Sequence, residues 1–310
     1  MKIYPSPFTL HPSLLMIDFT RIKTYSIKDR KNKVSLKDFI RVDNDIALMD
    51  SKELEILSRK IIDAWKNKKQ VIFMMGGHIV KVGCTPLLID LIKKGIITHI
   101  AVNGSFSIHD FEIALTGETS EDVAVNIEDG SFGMAEETGS MMNEAIKEGS
   151  LANRGFGESI GRLISDLPFR EESLIYHAWK LKVPVTVHTS IGAEIIYQHP
   201  SCDGGAMGKT SYHDFMVLTD SISKLEGGVV VNIGSAVIMP EVFLKSFTIA
   251  RNLGFEIKKF TAANMDMLKH YRPTVNVLER PTSMGGMSLE IMGRHEKTIP
   301  SLHKLVMRDA

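Results

Sequence analysis

Short apolar segments recur along the chain, and each runs directly into small or polar residues. Val71-Met75 leads into Gly76-Gly77-His78, and His99-Val102 leads into Asn103-Gly104-Ser105. Pro184-Val187 leads into His188-Thr189-Ser190, Val229-Ile233 into Gly234-Ser235-Ala236, and Ile257-Thr261 into Ala262-Ala263-Asn264. Apolar runs of this length bounded by turn formers predict buried strands. Between them the period changes. Leu54, Ile56, Leu57, Ile61, Ile62 and Trp65 fall three and four apart behind a polar start at Ser51, which predicts an amphipathic helix feeding the first strand. Thr85-Pro86 offers a cap and a first-turn proline for the next helix, with Leu88, Leu91 and Ile92 inward and Gly95 as its stop.

From Ser107 to about Lys182 the pattern predicts helix throughout, punctuated at Gly117, Gly130, Gly149 and Pro168. Ser107-x-x-Asp110 and Thr119-x-x-Asp122 both have capping-box character. The second half alternates again, with helices expected over 212–225 and 240–253. Such alternation predicts an α/β fold: a doubly wound, mostly parallel sheet with helices on both faces and a helical middle insertion. Residues 1 to about 45 carry Pro5, Pro7 and Pro12 and no sustained period, so they are read as an N-terminal arm packed on another subunit. Residues 46–310 are read as one nucleotide-binding domain.

Composition narrows the partners. Lys+Arg and Asp+Glu balance at 37 each, so no global field recruits nucleic acid or an acidic membrane surface, and a small-molecule ligand is expected. The basic run Lys28-Lys33 lacks interleaved aromatics and is expected to be solvated surface. Cys84 and Cys202 are too few for a disulfide framework, which suits a reducing, cytoplasmic setting. No run approaches the roughly 20 apolar residues that span a bilayer, and the opening residues lack a signal-peptide layout. The 17 methionines fall at helical spacings and are read as core filling.

In open α/β sheets a ligand sits in the crevice beyond the carboxyl ends of the strands, so the chemistry is sought there. Amides at Gly76-Gly77 would form an anion-binding concavity or simply a tight turn; neither GxGxxG nor GxxxxGK[ST] occurs in a strand-to-helix context. His78 and Lys81 follow; Lys81 is a phosphate ligand, a base or nucleophile, or a solvated lysine. Asn103, Gly104 and Ser105 open a helix whose first turns carry His109, which titrates near neutrality and can exchange a proton with substrate. Asp110 is either its cap or a cofactor contact, and Glu112 either orders the imidazole or faces water. Thr189, Ser190 and Glu194 suit ribose or substrate contact, with Glu194 alternatively complementing a helix dipole. Gly234, Ser235, Ala262 and Asn264 complete the expected cofactor rim. His199, Cys202, Asp203 and His213 match no closed zinc spacing and are read as a mobile loop, with no metal assigned.

The order of these features resembles deoxyhypusine synthase. The resemblance spans roughly 50–265, and its most persuasive part is Glu172-Ser173-Leu174-Ile175-Tyr176-His177-Ala178-Trp179-Lys180 followed by Val183-Pro184-Val185. Met75-Gly76-Gly77-His78 stands where that family has a strand-end loop touching the dinucleotide, Asn103 to Asp110 where it has a Gly-rich turn followed by acidic residues, and Thr189 to Glu194 where it carries an Asp-Gly-Ser-Leu-Gly-Asp type loop. The resemblance implies a Rossmann-type NAD-binding fold, usually assembled as a homo-tetramer. It departs at Gly234-Ser235-Ala236-Val237-Ile238-Met239-Pro240, where the family has three glycines followed by a Val-Lys-His type sequence, and at Glu279-Met287, which offers no counterpart of the catalytic lysine. The synthase reaction forms an imine through that lysine, so a divergent homologue with its own substrate is expected. The resulting expectation is a homo-oligomeric enzyme that binds NAD and acts on a small, amine-bearing metabolite, with His109, Lys81 and Glu194 as catalytic candidates. Two alternatives stand beside it: a metal-dependent hydrolase or lyase without a redox step, and a non-catalytic nucleotide-binding subunit.

Overall fold

The computed structural model describes residues 17–310. In chain order its strands are β1 (Asn32–Ser35), β2 (Val71–Met75), β3 (His99–Asn103), β4 (Glu118–Glu121), β5 (Val185–His188), β6 (Val229–Ile233), β7 (Thr261–Asp266) and β8 (Met287–Met292). Six of them form one parallel sheet in the order β5-β3-β2-β6-β7-β8. Counted along that sheet alone, the order is 3-2-1-4-5-6, the doubly wound Rossmann arrangement. β1 and β4 pair antiparallel in a separate two-stranded ribbon.

The helices are α1 (Lys52–Lys66), α2 (His78–Lys81), α3 (Thr85–Lys93), α4 (Gly104–Thr116), α5 (Val123–Asn126), α6 (Glu136–Leu151), α7 (Phe156–Ile164), α8 (Leu174–Lys180), α9 (Gly204–Ser223), α10 (Ile238–Asn252), the short α11 (Tyr271–Pro273) and α12 (His295–Asp309). Alternate side chains of a strand point to opposite faces. On β2, Val71, Phe73 and Met75 join the core under α1, α3 and α12, whereas Ile72 and Met74 join Leu218 of α9 and Phe243 and Phe247 of α10. Both faces are covered, which is why β2 reads as an unbroken apolar run and β6 as one interrupted only by the buried Asn232.

The structure corrects four expectations. The fifth strand runs Thr261–Asp266, not 257–261: the Lys258 and Lys259 amides donate to Glu226 Oε2 at 2.6 and 2.8 Å and so do not enter the ladder there. Ala262 and Asn264 therefore lie within the strand. A sixth strand, β8, was not anticipated. The middle segment is not helical throughout, because β4 interrupts it to pair with β1. Finally, Arg30 of the basic run is buried. The expected arm falls partly outside the described residues; within 17–45, Ile27 and Phe39 are buried against their own chain, while Ile17, Phe19 and Val42 are exposed. No described helix is long and apolar enough to cross a membrane.

Candidate functional site

The chain moves outward from β2 to β3 and β5 on one side, and from β6 to β7 and β8 on the other. The carboxyl ends of β2 and β6 are thus neighbours at the point where the winding reverses, the position at which this architecture opens a crevice. There the backbones of Gly76 and Gly234 are in contact: a β-carbon on Gly76 would collide with the Gly234 carbonyl oxygen. Gly234 has φ +61, and a β-carbon on it would stand 2.7 Å from His295 Nε2. The Gly76 amide donates to the Ile233 carbonyl and the Gly234 amide to the Met265 carbonyl, both at 3.1 Å. These two turns extend the sheet, and their own amides are already engaged. Ser235 Oγ accepts the Met239 amide at 3.2 Å and holds the start of α10. Asn232 Nδ2 donates to Ser235 O at 3.0 Å and to Asn264 Oδ1 at 2.8 Å, leaving Asn232 Oδ1 and Asn264 Nδ2 buried without partners among the described residues. Gly76, Gly234, Ser235 and Asn264 therefore come together. Ala262 does not join them; it lies early in β7, within the core, because the strand begins later than its apolar approach suggested.

Beside this switch point, Asn103 closes the turn from β3 into α4. Its Oδ1 accepts the Phe106 amide and the Ser105 hydroxyl, each at 3.0 Å. Gly77 fits between strand end and helix because it has no side chain: a β-carbon would stand 2.7 Å from Ser105 Oγ and 3.1 Å from His109 Cδ2. His109 faces a cavity of about 190 Å³ that it lines with Lys81, Ser105, Glu112, Glu121 and Glu194. Burial, only partly opposed by Glu112, depresses its imidazole to about 4, so it is neutral at physiological pH.

Asp110 points the other way. It accepts the amides of Leu174 and Ile175 at 2.9 and 3.1 Å and the Ser173 hydroxyl, so it anchors the start of α8 and neither caps its own helix nor reaches the cavity. Burial pushes its carboxyl up to about 6 against those hydrogen bonds.

Glu112 is the buried partner of His109. Its Oε2 accepts the Thr119 hydroxyl at 2.5 Å, and that same oxygen of Thr119 lies 2.7 Å from His109 Nδ1. Its Oε1 accepts Arg30 Nη1 at 2.8 Å and the Thr138 hydroxyl at 2.9 Å, and Arg30 Nη2 stands 2.8 Å from Oε2. Burial disfavours the Glu112 charge, but the Arg30 guanidinium outweighs it and holds the carboxyl below its ordinary range. Next to Thr119, Ser120 sits at φ +70 and lines the same cavity, a backbone conformation that costs a non-glycine residue of order 1 kcal/mol or more and persists only when its surroundings impose it. Sequence reasoning missed Arg30, Thr119 and Ser120. Arg30 looked like one charge in a solvated run, and the pairing of β1 with β4 that brings Arg30 near Thr119 is separated by more than 80 residues of chain.

Glu194 approaches the amino end of α4 from the loop after β5: a β-carbon on Gly104 would stand 2.6 Å from its Oε1. Burial raises its carboxyl to about 7, although the amides of Ser190 and Gly104 favour its charge. Thr189 and Ser190 are half-buried in that loop, the Thr189 amide donating to Ser211 Oγ at 3.2 Å. The preceding His188 is buried on a face of the edge strand β5, beside Thr186 and His99 rather than on the rim. His199 bonds the Gly133 carbonyl at 2.9 Å and Asp203 caps α9, so these two serve separate structural ends. The His78 and His295 rings lie 5.7 Å apart at the switch point, tilted 60° to one another. Of the predicted set, Lys81, Ser105, His109 and Glu194 share the cavity, with Gly77 and Gly104 against its walls.

No family model matches this chain, and no curated protein does. Solved structures share its fold at low identity. A LOR/SDH-type protein of Methanococcus maripaludis S2 is 16% identical, with a TM-score of 0.50 over 87% of this chain and 74% of its own. A deoxyhypusine synthase-type protein of Entamoeba histolytica is 10% identical, with a TM-score of 0.51 over 83% of this chain and 88% of its own. AgrE, solved with ornithine and NAD+, is 12% identical with a TM-score of 0.50; the match covers 85% of this chain and 34% of AgrE, so this chain spans about a third of that protein. The architecture is a doubly wound Rossmann-like fold.

Proposed function

We propose that this chain is an NAD-binding enzyme that seats the dinucleotide at the β2–β6 switch point and uses His109, with Lys81 and Glu194, on a small polar, amine-bearing substrate in the adjoining cavity. The observation that carries the reading is the meeting of the Gly76 and Gly234 turns where the winding reverses, with an acid–base cluster opening directly beside them. The residues fit such a group in two respects. Neither glycine places a side chain over the crevice, and Asn232 Oδ1, Asn264 Nδ2 and His295 Nδ1 are buried polar atoms without hydrogen-bond partners among the described residues. Gly77, Asn264 and Ser235 would hold the dinucleotide, which when bound supplies hydride transfer. AgrE, of which about a third shares this fold, was solved with ornithine and NAD+, and that pairing of cofactor and amine supports the reading. Around it, His109 Nε2 accepts a proton from substrate, Lys81 attracts an anionic group, and Glu194, raised to about 7, is poised to exchange a proton near neutrality.

A second reading, a hydrolase or lyase without a redox step, is favoured by one observation. The Gly76 and Gly234 amides are engaged by the Ile233 and Met265 carbonyls, and Lys81, His109 and Glu194 form a self-contained set. Calorimetric titration with NAD+, NADH and ATP separates the two. Saturable binding of NAD+ or NADH that is weakened in Gly77→Val sustains the first reading, and no heat with either dinucleotide sinks it. A cytoplasmic homo-oligomer is proposed with it; exposed Tyr212, Met216, Leu253 and Phe255 on the α9–α10 side supply apolar surface for self-association, which light scattering would detect.

A further inference from the structure

Resting on the reading of His109 as the group that handles the proton, we infer that Arg30, Glu112 and Thr119 together lock the neutral imidazole with its hydrogen on Nδ1, leaving the Nε2 lone pair for the cavity. Arg30 is a permanent cation, and a carboxylate held against it accepts hydrogen bonds without donating any. Glu112 is such a carboxylate, taking Arg30 Nη1 and Thr138 on Oε1 and Thr119 on Oε2. Two oxygens 2.5 Å apart need a hydrogen between them, and only the Thr119 hydroxyl has one to give. A threonine hydroxyl has a single hydrogen, so at its other contact, 2.7 Å away, Thr119 can only accept. The donor there is His109 Nδ1. The order of hydrogens then runs from His109 to Thr119 to Glu112, with Arg30 fixing its direction from the far end.

Had Glu112 been paired with a neutral group, it could carry the proton itself and reverse the chain. Arg30 forbids that reversal. The ring is therefore pre-set as an acceptor at Nε2, suited to a ligand that presents a hydroxyl, an ammonium or an acidic C–H, and the imidazolium formed on proton uptake is stabilised by the Glu112 charge through Thr119. Thr119, Glu112 and Arg30 are positioning residues; they line or flank the cavity but act through the histidine.

The test is read on the ligand-free protein. In 15N-histidine-labelled protein at pH 8, long-range proton–nitrogen correlation spectra, assigned with His109→Gln, are expected to show Nδ1 as the protonated, pyrrole-type nitrogen and Nε2 as the pyridine-type nitrogen. Thr119→Ser retains that pattern, and Thr119→Val loses it in favour of a mixture or of the Nε2-protonated form. An Nε2-protonated ring in the unmodified protein, or a spectrum unchanged in Thr119→Val, overturns the inference. Should Thr119→Val fail to fold, the unmodified and Thr119→Ser spectra decide it alone. Because no nucleotide is added, a negative NAD titration with the expected spectrum removes the cofactor reading and leaves the tautomer standing, and the reverse result does the opposite.

Discussion

The Gly76 backbone packs directly on the Gly234 carbonyl, so the two strand ends at the switch point approach more closely than any side-chain-bearing residue would allow. Gly76→Ala would drive a methyl group into that carbonyl, and a clash with backbone is not relieved by a rotamer change. The expected cost is about 1–3 kcal/mol, read as a lower denaturation midpoint with an unchanged slope. Gly95→Ala makes a contrasting control: its methyl meets nothing within 4 Å, but φ +68 still strains it.

Arg30 and Glu112 form a nearly solvent-free ion pair. Removing the cation alone strands a buried carboxylate, so Arg30→Met should cost about 3–5 kcal/mol at neutral pH. The sign with pH follows from Glu112, whose folded pKa is depressed: its contribution is present above the unfolded value and is lost as pH falls through the folded one. The variant should therefore lose its deficit relative to the parent in acid. The double variant Arg30→Met, Glu112→Leu should recover part of the loss, and a double-mutant cycle in urea measures how much.

His188 is buried on a face of the edge strand β5, and burial depresses it to about 3. A histidine whose folded pKa lies below its unfolded value favours folding where it is neutral, so its share of stability falls as pH drops below about 6.5. The difference between parent and His188→Asn should change by up to about 1.4 kcal/mol per pH unit between pH 6 and 4. A difference independent of pH would mean that this imidazole is charged in the folded protein.

Glu194 has the opposite sign. Burial raises its folded pKa to about 7, so the stability linked to its protonated form is complete below the unfolded value near 4.5 and is lost as pH rises to about 7. Glu194→Gln mimics the neutral form. It should match the parent at pH 4 and exceed it at pH 8 by roughly 2 kcal/mol, a figure reduced because the carboxyl faces a solvent-accessible cavity, measured by thermal melts across that range.

His109→Gln keeps the volume of the ring and removes the basic nitrogen. Once a substrate is found, turnover should fall by about 10²–10⁴ while affinity for the dinucleotide stays within a factor of about two to three of the parent. A fall in affinity of similar size to the fall in turnover would move His109 from proton transfer to cofactor binding.

Much of this protein was legible in one dimension. Buried strands need side chains on both faces, so β2 and β6 appear as apolar runs, and the helices appear in the spacing of Leu54 to Trp65; local backbone chemistry also marks the turns at Gly76, Asn103 and Gly234. β7 was misplaced by a few residues because its own sequence, Thr-Ala-Ala-Asn-Met-Asp, is small and polar, while the apolar Ile257 and Phe260 just before it are buried in the core ahead of the strand. The order of the strands, and hence the neighbours at the switch point, depends on long-range pairing that no local pattern encodes. The site shows the same division. His109, Lys81 and Glu194, which line one cavity, could be picked out as candidates because chemistry resides in residue types near strand ends. The role of Arg30 could not, because a guanidinium in a basic run reads as solvated until the β1–β4 ribbon carries it more than 80 residues back onto Glu112, where exclusion of water turns a surface charge into the group that sets the direction of a hydrogen-bond chain.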